Sequence, residues 1–153
     1  MSKITPFLWF DSRLEEALEL YARVFPDVTV QARTLDPDGK LFWAEFEIGG
    51  SPFKAMNAGP HHPFNEAVSF WIDCADQTEV DHYWDALTAD GGEESQCGWL
   101  KDKFGISWQV VPSRQLSETV YGADAAGAKR AMDAMLGMRK LVVDELEAAY
   151  RGE

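Results

Sequence analysis

The sequence predicts one two-layer α+β domain made of two similar halves, followed by a helical extension. Three observations carry that prediction. The chain has 153 residues, a length at which one core buries roughly two thirds of the unfolded surface without disulfide or metal staples. Strand-type and helix-type segments run through one order and then start again. Beyond Pro112 the composition shifts to Ala, Met, Leu and Glu, which favour helix.

Residues Thr5 to Phe10 are apolar and aromatic, a short run that reads as a strand. Ser12 is the expected cap of the following helix, with Glu15 three residues on and Leu14, Ala17, Leu18, Tyr21 and Phe25 at helical spacing before Pro26. Val28 to Leu35 and Leu41 to Ile48 flank the turn Asp36-Pro37-Asp38-Gly39 and predict a hairpin, with Phe42, Ala44, Phe46 and Ile48 on one face. Gly49-Gly50 precedes a fourth strand, Ser51 to Ala58, and Gly59-Pro60-His61-His62-Pro63 breaks the chain.

The pattern then restarts. Ala67 to Asp73 is a strand, Asp76 to Leu87 a helix striped by Val80, Tyr83, Trp84 and Leu87, and Asp90-Gly91-Gly92 a turn. Trp99 to Val111 reads as two strands around Lys103 to Gly105. A displacement of 62 positions lays Trp9 on Trp71, Phe10 on Ile72, Asp11 on Asp73, Leu18 on Val80 and Tyr21 on Tyr83. A displacement of 55 lays Gly50 on Gly105 and Phe53 on Trp108, which implies a shorter connection around Glu93 to Cys97. The expected organisation is a single domain with module one at 1–59, a linker at 60–65, module two at 66–112 and a helical extension at 113–153. Two helices, Asp124 to Leu136 and Leu141 to Tyr150, are expected there, and Met132, Met135, Leu136 and Met138 should pack on the body or on a second subunit.

Charge narrows the partners. With 14 basic against 26 acidic residues the formal net charge is -12, which repels phosphate backbones and anionic membranes, so neither nucleic acid nor membrane is an expected partner. Cys74 and Cys97 lack CxxC spacing, and no apolar run reaches the length of a membrane span or a signal peptide, so a cytoplasmic location is expected.

The strings ITPFLWFDSRLEEALELYARVFP, EAVSFWIDC, CGWLKDKFGISWQVVP and AMDAMLGMRKLVVDELEAA resemble the vicinal oxygen chelate superfamily of glyoxalase, bleomycin-resistance and dioxygenase proteins. Within it they are similar to the 3-demethylubiquinone methyltransferase-like branch. The resemblance implies two βαβββ modules whose mixed sheets form a curved cup around a small-molecule cleft. It also implies a homodimer and, in many members, a divalent metal held by His, Glu or Gln. No GxGxG-like loop joins a strand to a helix to hold a nucleoside cofactor.

Strand parity assigns the faces. Leu8, Phe10, Val68, Phe70 and Ile72 form the more apolar set and should lie under helices. The open face then receives Thr5, Phe7, Trp9, Lys54, Met56, Ala67, Ser69, Trp71, Ser107, Gln109 and Val111. Only Gln109 among them resembles a metal ligand, and the displacement of 55 sets it against Lys54, whose ammonium repels a cation. No resident metal or other cofactor is therefore expected. A one-residue slip would instead offer Glu66 and Asn57, with Asp11, His61 and His62 nearby as donors. Phe7, Trp9, Lys54, Trp71 and Gln109 are the candidate ligand contacts, suited to an anionic or aromatic small molecule. The reading that results is a small-molecule-binding protein without a complete metal site. Its alternatives are a metal-dependent glyoxalase-like enzyme of unknown reaction, or an interaction protein whose cup is filled by its own aromatics.

Overall fold

A computed structural model describes residues 3–153. Contacts within the chain separate two compact units, 1–64 and 65–153.

The first unit runs β1 (Phe7–Phe10), α1 (Leu14–Val24), β2 (Val28–Leu35), β3 (Leu41–Ile48) and β4 (Ser51–Asn57). Its sheet order is β1-β4-β3-β2, with β1 parallel to β4 and the other pairs antiparallel. Helix α1 buries Leu14, Ala17, Leu18, Leu20, Tyr21 and Val24 and lies on β3 and β4. Beneath it the sheet contributes Leu8, Phe10, Ala44, Phe46, Phe53 and Ala55, all buried.

Two local expectations are corrected here. Ser12 does not cap α1: the Leu14 N–H donates to Asn57 Oδ1 at 3.0 Å, and Asn57 Nδ2 donates to the Leu41 carbonyl at 3.0 Å. The parallel pairing sets Asn57 opposite Phe10, so the last residue of β4 reaches the helix start that the local sequence leaves uncapped. Phe42 does not share the buried face. The β2–β3 register slips so that Leu35 faces Leu41, which turns Leu41 inward and leaves Phe42 42% exposed.

The second unit repeats the plan with β5 (Ser69–Asp73), α2 (Gln77–Thr88), β6 (Glu93–Glu94), β7 (Trp99–Lys101) and β8 (Ser107–Val111). Its order, β5-β8-β7-β6, with β5 parallel to β8, copies the first sheet. Asp76 caps α2 by accepting from the Glu79 N–H. The Asp90 turn is a single 3-10 turn with Asp90 at φ 53. Strand β5 starts at Ser69, so Val68, expected under the helices, lies before it and is 68% exposed.

The hairpin between β7 and β8 is organised by Asp102, which is buried. Its Oδ1 accepts from the backbone N–H groups of Phe104 and Ile106, and its Oδ2 accepts from Trp108 Nε1 at 2.9 Å. Trp108 is thereby fixed on the covered face, near Phe70.

The extension forms α3 (Ser113–Glu118), which the sequence pattern did not announce, then α4 (Ala125–Leu136) and α5 (Val143–Arg151). Val111, expected on the open face, instead joins Leu116, Val120, Ala131, Met135, Met138, Leu141 and Leu146 in one buried cluster. Met132 packs against that cluster, whereas Leu136 is exposed. Backbone bonds from Cys97 to Met138 and from Gly98 to Arg139 tie the extension to the approach to β7. Among the described residues no helix is long and apolar enough to cross a membrane.

Candidate ligand-binding faces

Each sheet carries a row of two tryptophans around a central side chain. In the second sheet Gln109 on β8 pairs with Trp71 on β5 and Trp99 on β7. In the first, Met56 on β4 pairs with Trp9 on β1 and Trp43 on β3. Neighbouring strands stand about 4.8 Å apart, so the three side chains of a row are within mutual reach. Trp43 was not among the sequence candidates, because its strand reads equally well as plain core.

The rows also correct the displacement of 55. Gln109 lies opposite Trp71 as Met56 lies opposite Trp9, so Met56, not Lys54, is the first-sheet counterpart of Gln109. Lys54 lies opposite Phe7 and Glu45, in the position that Ser107 holds between Ser69 and Lys101. The second hairpin has shorter paired arms and a longer turn than the first, so the displacement that fits the row on β4 and β8 is 53, which preserves the parity of the faces.

The second row is the more open. Trp71 is 54% exposed, and its Nε1 donates to Ser113 Oγ at 3.2 Å. Gln109 is half-buried and donates from Nε2 to Ser69 Oγ at 2.9 Å, which leaves its carbonyl oxygen on the same face. In the first row Trp9 Nε1 donates to the Gly59 carbonyl at 2.9 Å, and the His62 ring stands edge-on to Trp9 at 4.8 Å between centroids. Phe7 tilts against Trp43 at 4.9 Å. Lys54 is paired with Glu45, Nζ to Oε1 3.4 Å.

The remaining donors are dispersed. Glu66 forms an ion pair with Lys101. Hydrogen bonding by Lys101, and then by Glu66's own backbone, holds that carboxyl below the usual range, while Glu66 raises the Lys101 ammonium in turn. His61 and His62 are exposed. Asp11 lines a hollow of about 480 Å³ with Glu15, Asp36, Lys40, Leu41 and Asn57. There Asp36 Oδ1 already accepts from the Asp38 and Lys40 N–H groups. Among the described residues no group of three or more His, Cys, Asp or Glu side chains is placed to hold a metal. The donors around Gln109 do not fit one either, since its row neighbours are indoles. Cys74 is buried, and burial, then Glu79, push its thiol up to about 12, which removes it as a nucleophile near neutrality.

Residues 2–111 match the family model described as 3-demethylubiquinone-9 3-methyltransferase. No curated protein matches the sequence. Among solved structures, the chain is similar to the PhnB protein of Bacillus cereus, named for 3-demethylubiquinone-9 3-methyltransferase. The two are 28% identical with a TM-score of 0.63, over 71% of this chain and 97% of that one. Protein PA1353 from Pseudomonas aeruginosa is 21% identical with a TM-score of 0.57, over 71% and 95% of the two chains. The fosfomycin resistance protein FosX from Listeria monocytogenes, complexed with Mn(II) and sulfate, is 18% identical with a TM-score of 0.51, over 71% and 89%. The last two likenesses concern the fold alone. Helices α3 to α5 lie beyond the matched family region.

Proposed function

The chain belongs to the 3-demethylubiquinone-9 3-methyltransferase family, a branch of the vicinal oxygen chelate superfamily, and we propose that it binds a small molecule on the open faces of its sheets. The carrying observation is the Trp71–Gln109–Trp99 row. A tryptophan offers 150–250 Å² of burial, so covering the open half of Trp71 returns about 2–3 kcal/mol. That alone falls short of the roughly 8 kcal/mol of micromolar affinity. The second indole adds apolar contact, and the Gln109 carbonyl oxygen accepts a hydrogen bond that fixes orientation.

On the first sheet Phe7, Trp9 and Lys54 are the contacts we assign. Lys54 favours an anionic or carbonyl-bearing ligand once it leaves Glu45, an exposed partner that holds it weakly. No methyl transfer is proposed, because the sequence lacks the glycine-rich loop that cradles a nucleoside cofactor.

A homodimer belongs to the same proposal. Its support is the resemblance to paired-module proteins, since Met135 and Met138 are already buried in their own unit. Sedimentation at micromolar concentration should give twice the 17.2 kDa chain mass, and a persistent monomer removes this part. The acidic surface and two free cysteines support a cytoplasmic setting.

A thermal-shift screen of small carboxylates and aromatic metabolites tests the binding reading. A stabilising ligand should lose its effect in Gln109→Ala and Trp71→Ala, and in part in Lys54→Met, while each variant stays folded. A saturating ligand bound unchanged by all three defeats the assignment.

A further inference from the structure

Beside the Trp71–Gln109–Trp99 row, Ser107 lies between Ser69 and Lys101. Ser107 is 1% exposed, and its hydroxyl has no hydrogen-bond partner. Buried hydroxyls are almost always bonded, so this one marks a place where a partner is expected. It lines a cavity of about 100 Å³ together with Glu66, Trp99 and Lys101. At ~30 Å³ per water that is room for about three waters, or for one carboxylate group.

Glu66 is not part of the sheet. It sits in the turn before β5 with a side chain 60% exposed, and it reaches Lys101, itself 31% exposed. So exposed a pair is held weakly and exchanges readily. We propose that this pocket takes the carboxylate of a small aromatic or apolar acid, and that Glu66 is a resident stand-in which the ligand displaces. Lys101 Nζ and the Ser107 hydroxyl donate to the incoming carboxylate, and Trp99 meets the apolar body. Glu93 and Glu94 also line the pocket. Glu94 is engaged by Trp84 Nε1 at 2.8 Å and by Arg139 at 3.5 Å, so its charge stays in place and disfavours a dianion. A monocarboxylate is therefore preferred over phosphate. The inference rests on the second sheet being the ligand face and adds the chemical class and an internal competitor.

Titration calorimetry with benzoate, and separately with inorganic phosphate, tests it on the full chain and on Glu66→Gln, Ser107→Ala and the double variant. Removing the competitor should tighten benzoate about tenfold, and removing the hydroxyl should weaken it about tenfold. The double variant should lose most of the gain, and phosphate should bind more weakly than benzoate throughout. Ser107→Ala removes no existing bond, so its fold is expected intact by circular dichroism. The pocket is overturned if both single variants stay within about twofold of the parent, or if no form binds benzoate saturably. If benzoate binding survives the pocket variants but is lost in Trp71→Ala and Gln109→Ala, the carboxylate pocket fails while the ligand face stands.

Discussion

Replacing Asp102 by alanine tests how the β7–β8 hairpin holds Gln109 in register. The carboxylate accepts three hydrogen bonds, two from backbone N–H groups and one from the Trp108 indole. Bonds to a charged group contribute about 1.5–3 kcal/mol each, and removing the carboxylate also relieves a desolvation cost of several kcal/mol. The net loss is about 3–4 kcal/mol, which at ~2–4 °C per kcal/mol lowers the unfolding midpoint by about 10 °C. Urea unfolding followed by tryptophan fluorescence measures it, with Trp108→Phe and the double variant completing a cycle. Trp108→Phe should cost about 1–2 kcal/mol, and the two changes should couple by at least about 1 kcal/mol. An Asp102→Ala loss under about 1 kcal/mol, or purely additive losses, would refute the argument that this buried carboxylate organises the turn.

Other outcomes follow from the same geometry. Asn57→Ala removes both the α1 cap and the bond to Leu41, and should cost about 2 kcal/mol in urea unfolding, against under about 0.5 for Ser12→Ala; the reverse order would restore Ser12 as the cap. The Trp84 indole is the leading cause that holds the Glu94 carboxyl below its ordinary value, ahead of Arg139. A depressed carboxyl contributes stability that is complete above the unfolded glutamate value and is lost as pH falls through the folded one. Acid titration of Trp84 fluorescence should therefore move below the ordinary glutamate range and vanish in Glu94→Gln. With iodoacetamide at mildly alkaline pH, folded protein should be alkylated at Cys97 and spared at Cys74, whereas early labelling of Cys74 would contradict its raised thiol.

Much of the architecture was legible because it depends on local period. The repeated strand, helix and three-strand order, the parity that turns Phe7, Trp9, Trp71 and Gln109 to the open face, and the two longer C-terminal helices all follow from residue spacing. What was not legible depends on partners distant in the chain. Asn57 caps a helix 43 residues earlier, which no local capping pattern reports. The slip at Phe42 depends on the pairing of β2 with β3. The Lys54–Gln109 equivalence failed because the two final hairpins differ in both arm and turn length, a detail invisible in a glycine-to-glycine alignment. Val111 was set on the open face by parity, but the extension that covers it lies outside the repeat. Trp99 reads from the sequence as a pocket aromatic beside Phe7, Trp9 and Trp71, and a signal for Trp43 was present as well: it stands in the first-half strand that corresponds to the strand of Trp99.

The central claim is that the Trp71–Gln109–Trp99 row is where a ligand sits. Proton–nitrogen correlation spectra of the full chain, titrated with the strongest stabiliser from the carboxylate and aromatic screen, read it directly. The account predicts saturable shifts of the Trp71 and Trp99 indole N–H signals and of the Gln109 side-chain amide, with the buried Trp84 and Trp108 indoles unmoved. Saturable binding that leaves the first three signals in place would contradict it.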